Sequence, residues 1–324
     1  MTIVAGIDEA GLGPVMGPLV VSAAVFDVPA ERADASMWSL LAGSVCRSPS
    51  RRRGLIALGD SKKLYGGLRA ANGLEHLERG VLTMLACCGH RPATLEELLA
   101  HVAPQTAGPA RDCPWYAALD LPLPHSIDPT SLRLDANSLQ TKCAAVGLRV
   151  LGLHSEPVLE DEFNRTIDIT NNKSNLLFDI ASRLLMRIWT LIPPGETARV
   201  FVDHQGGRVH YLPGLQRVFE GCRFKIREES ETASVYAFGD AQRSMELSFQ
   251  VQAEDRQLPV ALASMVSKYV RELFMTLLNR FWARQLPGLA PTAGYYADGN
   301  RFYKEIQPLL EQMNIPSRRV YRSR

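Results

Sequence analysis

The sequence predicts an α/β protein in which a mixed central sheet is flanked by helices. Three observations point there. The apolar run Ile3-Val4-Ala5-Gly6-Ile7 and the run LVVSAAVF at 19–26 read as interior strands near the start of a 324-residue chain. Leu177, Ile180, Ala181, Leu184 and Ile188 fall at helical intervals, and a short apolar strand follows at 198–202. Met245, Leu247, Phe249, Val251 and Ala253 then alternate with polar residues, the period of a half-buried strand, ahead of a long helical pattern at 260–284.

Taken in order, the first strand ends at Asp8-Glu9 and a glycine turn. The second strand follows at 19–26, and Asp60-Ser61-Lys62-Lys63-Leu64 reads as a polar loop ahead of scattered helical spacing at 68–87. From about 104 to 139 the composition shifts to Pro, Gly and Ala with weak periodicity, including Pro114, Pro122, Pro124 and Pro129, which reads as a surface insertion. A strand is expected at 148–153, then an amphipathic helix at 174–191 closed by Pro193-Pro194. The strand at 198–202 runs straight into Asp203, a further strand is expected at 224–229, and the alternating strand at 244–254 ends on Glu254. The last long helix places Val266, Val270, Leu273, Leu277 and Phe281 on one face. No internal repeat is present, and residues 286–324 read as a helical extension with a basic tail.

At 46% hydrophobic and 22% charged residues, the composition is that of a soluble globular chain large enough for a substantial core. A net charge of +2 is too small to announce nucleic acid by itself, so local clusters must do so. Arg47, Arg51, Arg52 and Arg53 form one such cluster, and Arg318, Arg319, Arg322 and Arg324 form another; both suit a polyanion. The six cysteines show no CxxC pair and no zinc spacing, which predicts reduced thiols in a reducing compartment. A strand by residue 3 leaves no room for a targeting segment, and no apolar stretch approaches ~20 residues. A cytoplasmic monomer without membrane contact is the expectation.

Three strand ends carry carboxylates: Asp8 with Glu9, Asp203, and Glu254 with Asp255. Two carboxylates ~4 Å apart repel by roughly 4 kcal/mol at an effective dielectric of about 20, so something positive is needed between them. Hard oxygen ligands from several strand termini suit Mg²⁺ or Mn²⁺. Two such ions can activate a water and stabilise a leaving oxygen in phosphoryl chemistry. Spacing alone leaves ordinary surface carboxylates open as the other reading. The glycines at 11, 13 and 17 have neither the dinucleotide-binding spacing nor a phosphate-loop lysine. His204 and His210 flank Asp203 and read as incidental surface residues, with assistance in a proton transfer as the other reading.

The segment GIDEAGLGPVMGPLV at 6–20 resembles the N-terminal signature of the type 2 ribonucleases H (ribonuclease HII), GIDEAGRGPxxGPxV. LGDSKKL at 58–64 is similar to the family's DSKxL motif, VFVD at 200–203 to its third acidic strand, and ASMVSKYVR at 263–271 to its ASxxAKxxRD helix. Gly294-Tyr295 with Asp298 resembles the family's GY turn, so the matches are collinear from residue 6 to residue 298. The resemblance implies an RNase H-like fold, with a catalytic domain over 1–285, an insertion at about 90–145 and an extension over 286–324. It also implies Mg²⁺- or Mn²⁺-dependent cleavage of RNA paired with DNA, leaving a 5′-phosphate and a 3′-hydroxyl.

By the same resemblance, Asp8 bridges the ions and Glu9 and Asp203 complete their inner ligands. The fourth acid is Glu254, favoured by ungapped spacing to the following helix and by strand alternation with Ser248 and Gln250; Asp255 is the alternate. Gly11 and Gly13 offer backbone amides near the ribose 2′-hydroxyl, the group that separates RNA from DNA. Leu12 stands where the family has arginine, which removes a cationic contact. Ser61 and Lys62 touch the nucleic-acid backbone, Tyr295 stacks or hydrogen-bonds at the scissile ribonucleotide, and Lys268 and Arg271 share a helix face that meets phosphates or solvent. The implied partner is an RNA–DNA hybrid, with ribonucleotides embedded in duplex DNA as a further substrate. The rival readings are a non-catalytic hybrid-binding module and an RNase H-like metal nuclease acting on DNA.

Overall fold

The computed structural model describes residues 1–50, 54–66 and 73–322; Arg51, Arg52, Arg53 and Arg324 of the two basic clusters lie outside them. Ile3, Ala5 and Ile7 belong to one hydrophobic cluster and Val4 to another, so the first strand is buried on both sides and takes a central place in its sheet. In chain order the elements are β1 (Thr2–Ala10), β2 (Leu19–Val28), α1 (Met37–Leu40), β3 (Val45–Cys46), β4 (Ile56–Ala57), α2 (Ser61–Leu64), α3 (Glu75–Cys87), α4 (Leu95–Val102), α5 (Ala107–Arg111) and α6 (Pro129–Val146). There follow β5 (Arg149–Val158), α7 (Glu160–Thr170), α8 (Lys173–Leu191), β6 (Thr197–Asp203), α9 (Leu212–Val218), β7 (Arg223–Glu229), β8 (Ala233–Gly239), β9 (Ser244–Gln250), α10 (Leu258–Gln285) and α11 (Tyr296–Gln312).

The main sheet has seven strands in the order β5-β2-β1-β6-β9-β8-β7. Only β1, β6 and β9 pair in parallel; the outer pairings are antiparallel, which makes the sheet mixed, as the sequence predicts. Helices cover both faces, α8 and α9 on one and α10 on the other. At the outer edge β7 exposes most of its length, including Arg223, Lys225, Ile226, Arg227 and Glu228.

Helix α10 is the axis of the molecule. Every residue from 258 to 275 is buried, because the sheet lies on one side and α3 with the 95–123 segment on the other. The single apolar face expected from sequence therefore understates its burial. Its first turn meets β1 at Gly6, where an added Cβ would lie 2.2 Å from both the Pro259 carbonyl carbon and the Val260 nitrogen. No larger residue fits that crossing.

The 90–145 segment is built from α4, α5 and α6, and its aromatic residues enter the core. Trp115 stacks at 6.1 Å on Trp282 of α10, and Tyr116 meets Phe274 edge-on at 5.0 Å. Its last helix starts at Pro129, with the Asp128 carboxylate capping the Ser131 amide.

Three local expectations are corrected. The polar loop at 60–64 is a helical turn, because Asp60 caps the Lys62 amide at 2.8 Å. Strand β8 was not anticipated, since ASVYAFG carries small residues where a strand signal needs bulk. Strand β9 stops at Gln250, short of Glu254, because Gln252 adopts a left-handed φ of 55° and residues 253–255 form a 3₁₀ turn. All six cysteines are free. Among the described residues no helix is long and apolar enough to cross a membrane.

Candidate active site

Strand register brings the acidic residues together. Ile7 pairs with Val202 in the parallel β1–β6 ladder, so Asp8 and Asp203 follow side by side at the same end of the sheet. Asp203 in turn pairs with Gln250, and the turn carrying Glu254 begins just beyond it. The Asp203 Oδ1 accepts the Ala253 amide at 3.0 Å, fixing that turn against β6. That turn brings Glu254 close enough to Asp203 for the Asp203 charge to raise the Glu254 carboxyl. Asp255 is exposed, with its carbonyl taken by the Arg47 guanidinium. Of the two candidates for the fourth acid, the fold thus brings Glu254 to the others.

Asp8 is the most enclosed of the group at 7% exposure. Its Oδ1 accepts the Glu9 amide at 2.7 Å, and Ser267 donates to its carbonyl at 2.9 Å. Ser264 lies beside its carboxylate, which it draws downward, and is itself 2.9 Å from the Ser61 hydroxyl. Ser61 therefore reaches the acids through Ser264, a residue of α10, and Lys62 beside it supplies the nearest cation, drawing the Glu9 and Asp203 carboxyls downward.

The opposing forces are stronger. Burial first, then the charges of Glu9 and Asp203, push Asp8 well above the usual carboxylate range. Burial and Asp203 push Glu9 to about 7. Burial raises Asp203, and burial with Asp203 raises Glu254. Carboxyls raised in this way by burial and by one another's charge are an oxygen-donor set short of positive charge. Glu254 Oε2 is buried and has no hydrogen-bond partner among the described residues.

This chemistry fits Mg²⁺ or Mn²⁺: all donors are hard oxygens, and one buried oxygen lacks a partner. Among the described residues no three such side chains already stand in a ligating arrangement.

The glycine turn borders the acids. Gly11 and Gly17 adopt φ of +91° and +83°, and a Cβ on Gly11 would lie 2.6 Å from the Pro18 carbonyl oxygen. The Val15 and Met16 amides both donate to the Gly294 carbonyl, at 2.8 and 3.2 Å, so the GY turn is tied directly to it. Asp298 holds the GY turn by accepting Thr292 Oγ1 at 2.7 Å and the Ala293 amide at 2.8 Å. Tyr295 extends from it 54% exposed, its ring 5.9 Å from the Arg271 guanidinium. Gly13 is exposed, whereas Leu12 packs against the core on the α8 side.

Lys268 and Arg271 need correction. Both are buried on α10, so neither lies on a solvated, phosphate-facing surface. Lys268 bonds Glu272 at 2.8 Å beneath the Tyr65 ring, and Arg271 bonds the same carboxylate at 2.9 Å and the carbonyls of Met16 and Ala293 at 3.2 and 2.9 Å. Two buried cations need a buried anion, and Glu272 is drawn below its usual range by Arg271 and Lys268 despite its burial. Arg271 acts as a clamp between the glycine turn and the GY turn. The tail cluster is also not a free basic surface: Arg318 pairs with Asp161 and Asp168, Arg319 bonds the Asp112 carbonyl, and Arg322 is fully buried. His210 is exposed beside Glu229, while His204 is half-buried with its Nε2 lacking a partner among the described residues. Sequence reasoning missed Ser264 and Glu272 and read Arg322 as part of a basic surface when it is buried. The i, i+4 pair Lys268 and Glu272 inside an apolar helix was a readable signal for Glu272; nothing local marks Arg322.

No protein-family model and no curated protein matches the sequence. Among solved structures, the chain is similar to the PCNA:RNase HII complex from Archaeoglobus fulgidus at 13% identity and a TM-score of 0.43, covering 99% of this chain and 94% of that one. It is similar to ribonuclease H2 from Pyrococcus horikoshii OT3 at 14% identity and a TM-score of 0.37, covering 98% and 92%. Bst-RNase HIII in complex with Mn²⁺ gives 14% identity and a TM-score of 0.43, covering 99% of this chain and 66% of that chain. These likenesses are distant, and what the site can do follows from its own residues.

Proposed function

We propose that this chain is a metal-dependent endoribonuclease that cleaves the RNA strand of RNA–DNA hybrids, and that it also acts at ribonucleotides embedded in duplex DNA. What supports this reading is one observation: carboxylates from three distant segments, Asp8 with Glu9, Asp203 and Glu254, meet at one sheet edge beside the glycine and GY turns. The order of these segments also matches the five motifs of the type 2 ribonucleases H.

In this reading Asp8, Glu9, Asp203 and Glu254 hold Mg²⁺ or Mn²⁺, which when bound lower the pKa of a water and neutralise charge on the leaving oxygen. The protein's own residues position the substrate. Ser264, supported by Ser61, orients the Asp8 carboxylate. Lys62 offers a cation at the mouth of the acid group. Gly11, Leu12 and Gly13 present backbone to the ribose, where a side chain at Gly11 would collide with the turn itself. Tyr295, exposed on a turn held by Asp298, would stack on the nucleotide at the cut.

The test is incubation of the purified chain with a labelled RNA–DNA hybrid in Mg²⁺ and in Mn²⁺. Cleavage leaving 5′-phosphate ends is expected, with Asp8→Asn and Asp203→Asn reduced to background while their circular dichroism is unchanged. Wild-type rates in either variant would remove these strand ends from the chemistry, and cutting of an all-DNA duplex at an equal rate would favour a DNA nuclease.

A further inference from the structure

Beneath the glycine turn lies a guanidinium from the far end of the chain. Arg322 is fully buried, and its Nη1 donates to the Gly11 carbonyl at 2.6 Å and the Gly17 carbonyl at 3.3 Å. Its Nη2 donates to the Leu12 carbonyl at 3.1 Å, and its backbone amide donates to the Val15 carbonyl at 2.8 Å. The guanidinium sits 3.8 Å over the Phe163 ring, and Asn164 of the same helix holds the tail by donating to the Arg318 and Tyr321 carbonyls at 2.7 and 2.8 Å. One side chain thus gathers three carbonyls of a single turn.

The geometry of the peptide unit gives this a consequence. A trans peptide points its N–H opposite to its C=O. Drawing the Gly11 and Leu12 carbonyls inward toward Arg322 therefore turns the Leu12 and Gly13 N–H groups outward, just beyond Glu9. Neither N–H has a protein acceptor among the described residues. A residue serving only to fill the space under the turn would be better apolar, because burying a guanidinium costs solvation that packing alone does not return. Arg322 also keeps its Nε without a partner, so its orientation favours the turn's carbonyls over its own full satisfaction.

We propose that Arg322 is a positioning residue for ribose recognition, which holds the turn at residues 11–17 so that the Leu12 and Gly13 amides face the 2′-hydroxyl of the bound strand. This rests on the ribonuclease reading above. It also accounts for Leu12: with the cation supplied from below, the side chain at that position is free to pack against the core.

The experiment compares the full chain carrying Arg322→Met, Arg322→Lys or no change on an RNA–DNA hybrid, measuring kcat and KM with and without millimolar guanidinium. For Arg322→Met a fall in kcat/KM of about ten- to a hundredfold is expected, as for loss of buried charge-assisted hydrogen bonds. Added guanidinium should restore much of it, and Arg322→Lys should fall between the two. Wild-type kcat/KM in Arg322→Met overturns the proposal. So does a loss that guanidinium leaves untouched in both variants, which would assign Arg322 to holding the tail alone. An unsubstituted chain that fails to cut the hybrid sinks the ribonuclease reading itself, and the ribose role with it, a result separate from the other two.

Discussion

Glu160 sits at the centre of the buried polar layer under the glycine turn, accepting the Gly17 amide at 3.0 Å and the Tyr116 hydroxyl at 2.7 Å through Oε1. Burial raises its carboxyl from 4.5 to about 6, with Tyr116, Arg322 and the Gly17 amide offsetting only part of the cost. The sign follows from linkage: a carboxyl raised in the folded state contributes stability below its unfolded value and loses it as pH rises through the folded value. In Glu160→Gln that loss is absent. The stability difference between variant and wild type should therefore shift in the variant's favour by about 2 kcal/mol between pH 4 and pH 7, read from urea midpoints at each pH. Parallel curves across that range would show that Glu160 keeps an ordinary pKa. Nearby, Arg322 is lowered to about 9 by burial, so the layer beneath the turn holds its charges under strain on both sides.

At the scale of elements, the contact that fixes the site is β1 against the first turn of α10. Gly6 allows it, and the obstacles to any side chain there are backbone atoms, which cannot swing aside. Gly6→Ala should destabilise by about 3 kcal/mol and displace Ser264 and Ser267 from Asp8. Urea denaturation checks the first and, on the proposed ribonuclease reading, loss of hybrid cleavage the second; an unchanged midpoint would mean that the helix backs away freely. These same elements were the most legible in the sequence, because strands and helices buried on both sides leave long apolar runs. Asp8, Glu9 and Asp203 could be named as well, since each terminates such a run. Glu254 followed from spacing to α10, although the left-handed Gln252 that carries it out of β9 left no sequence signal. Helix α6 was missed because its apolar face is narrow, with Leu134 66% exposed. The role of Arg271 was misjudged because a cation on a helix reads as solvated unless its buried counter-ion is recognised. The Arg322 contact joins residues 311 positions apart, beyond the reach of any local pattern.

For the molecule as a whole, the 90–145 segment is welded to α10 through Trp115, Tyr116, Trp282 and Phe274. Trp115→Ala should cost about 3–5 kcal/mol, as large aromatic truncations in cores do. Unfolding followed by tryptophan fluorescence and by far-ultraviolet circular dichroism should still coincide, because segment and sheet share one core. Separate transitions would mean that the segment is an independent unit. The polar edge strand β7 places Arg223, Lys225 and Arg227 along the open border of the sheet, a pattern that discourages edge-to-edge pairing with other chains.

The Gly294 carbonyl that receives the Val15 and Met16 amides has a bearing on biosynthesis. The glycine turn is synthesised well before the groups that set its shape, which arrive from α10, the GY turn and Arg322 some 250 to 310 residues later. At roughly 5–20 residues per second, the early turn waits tens of seconds for them. Until they arrive, the Gly11 and Leu12 carbonyls and the Val15 and Met16 amides lack the partners that hold them in the folded chain.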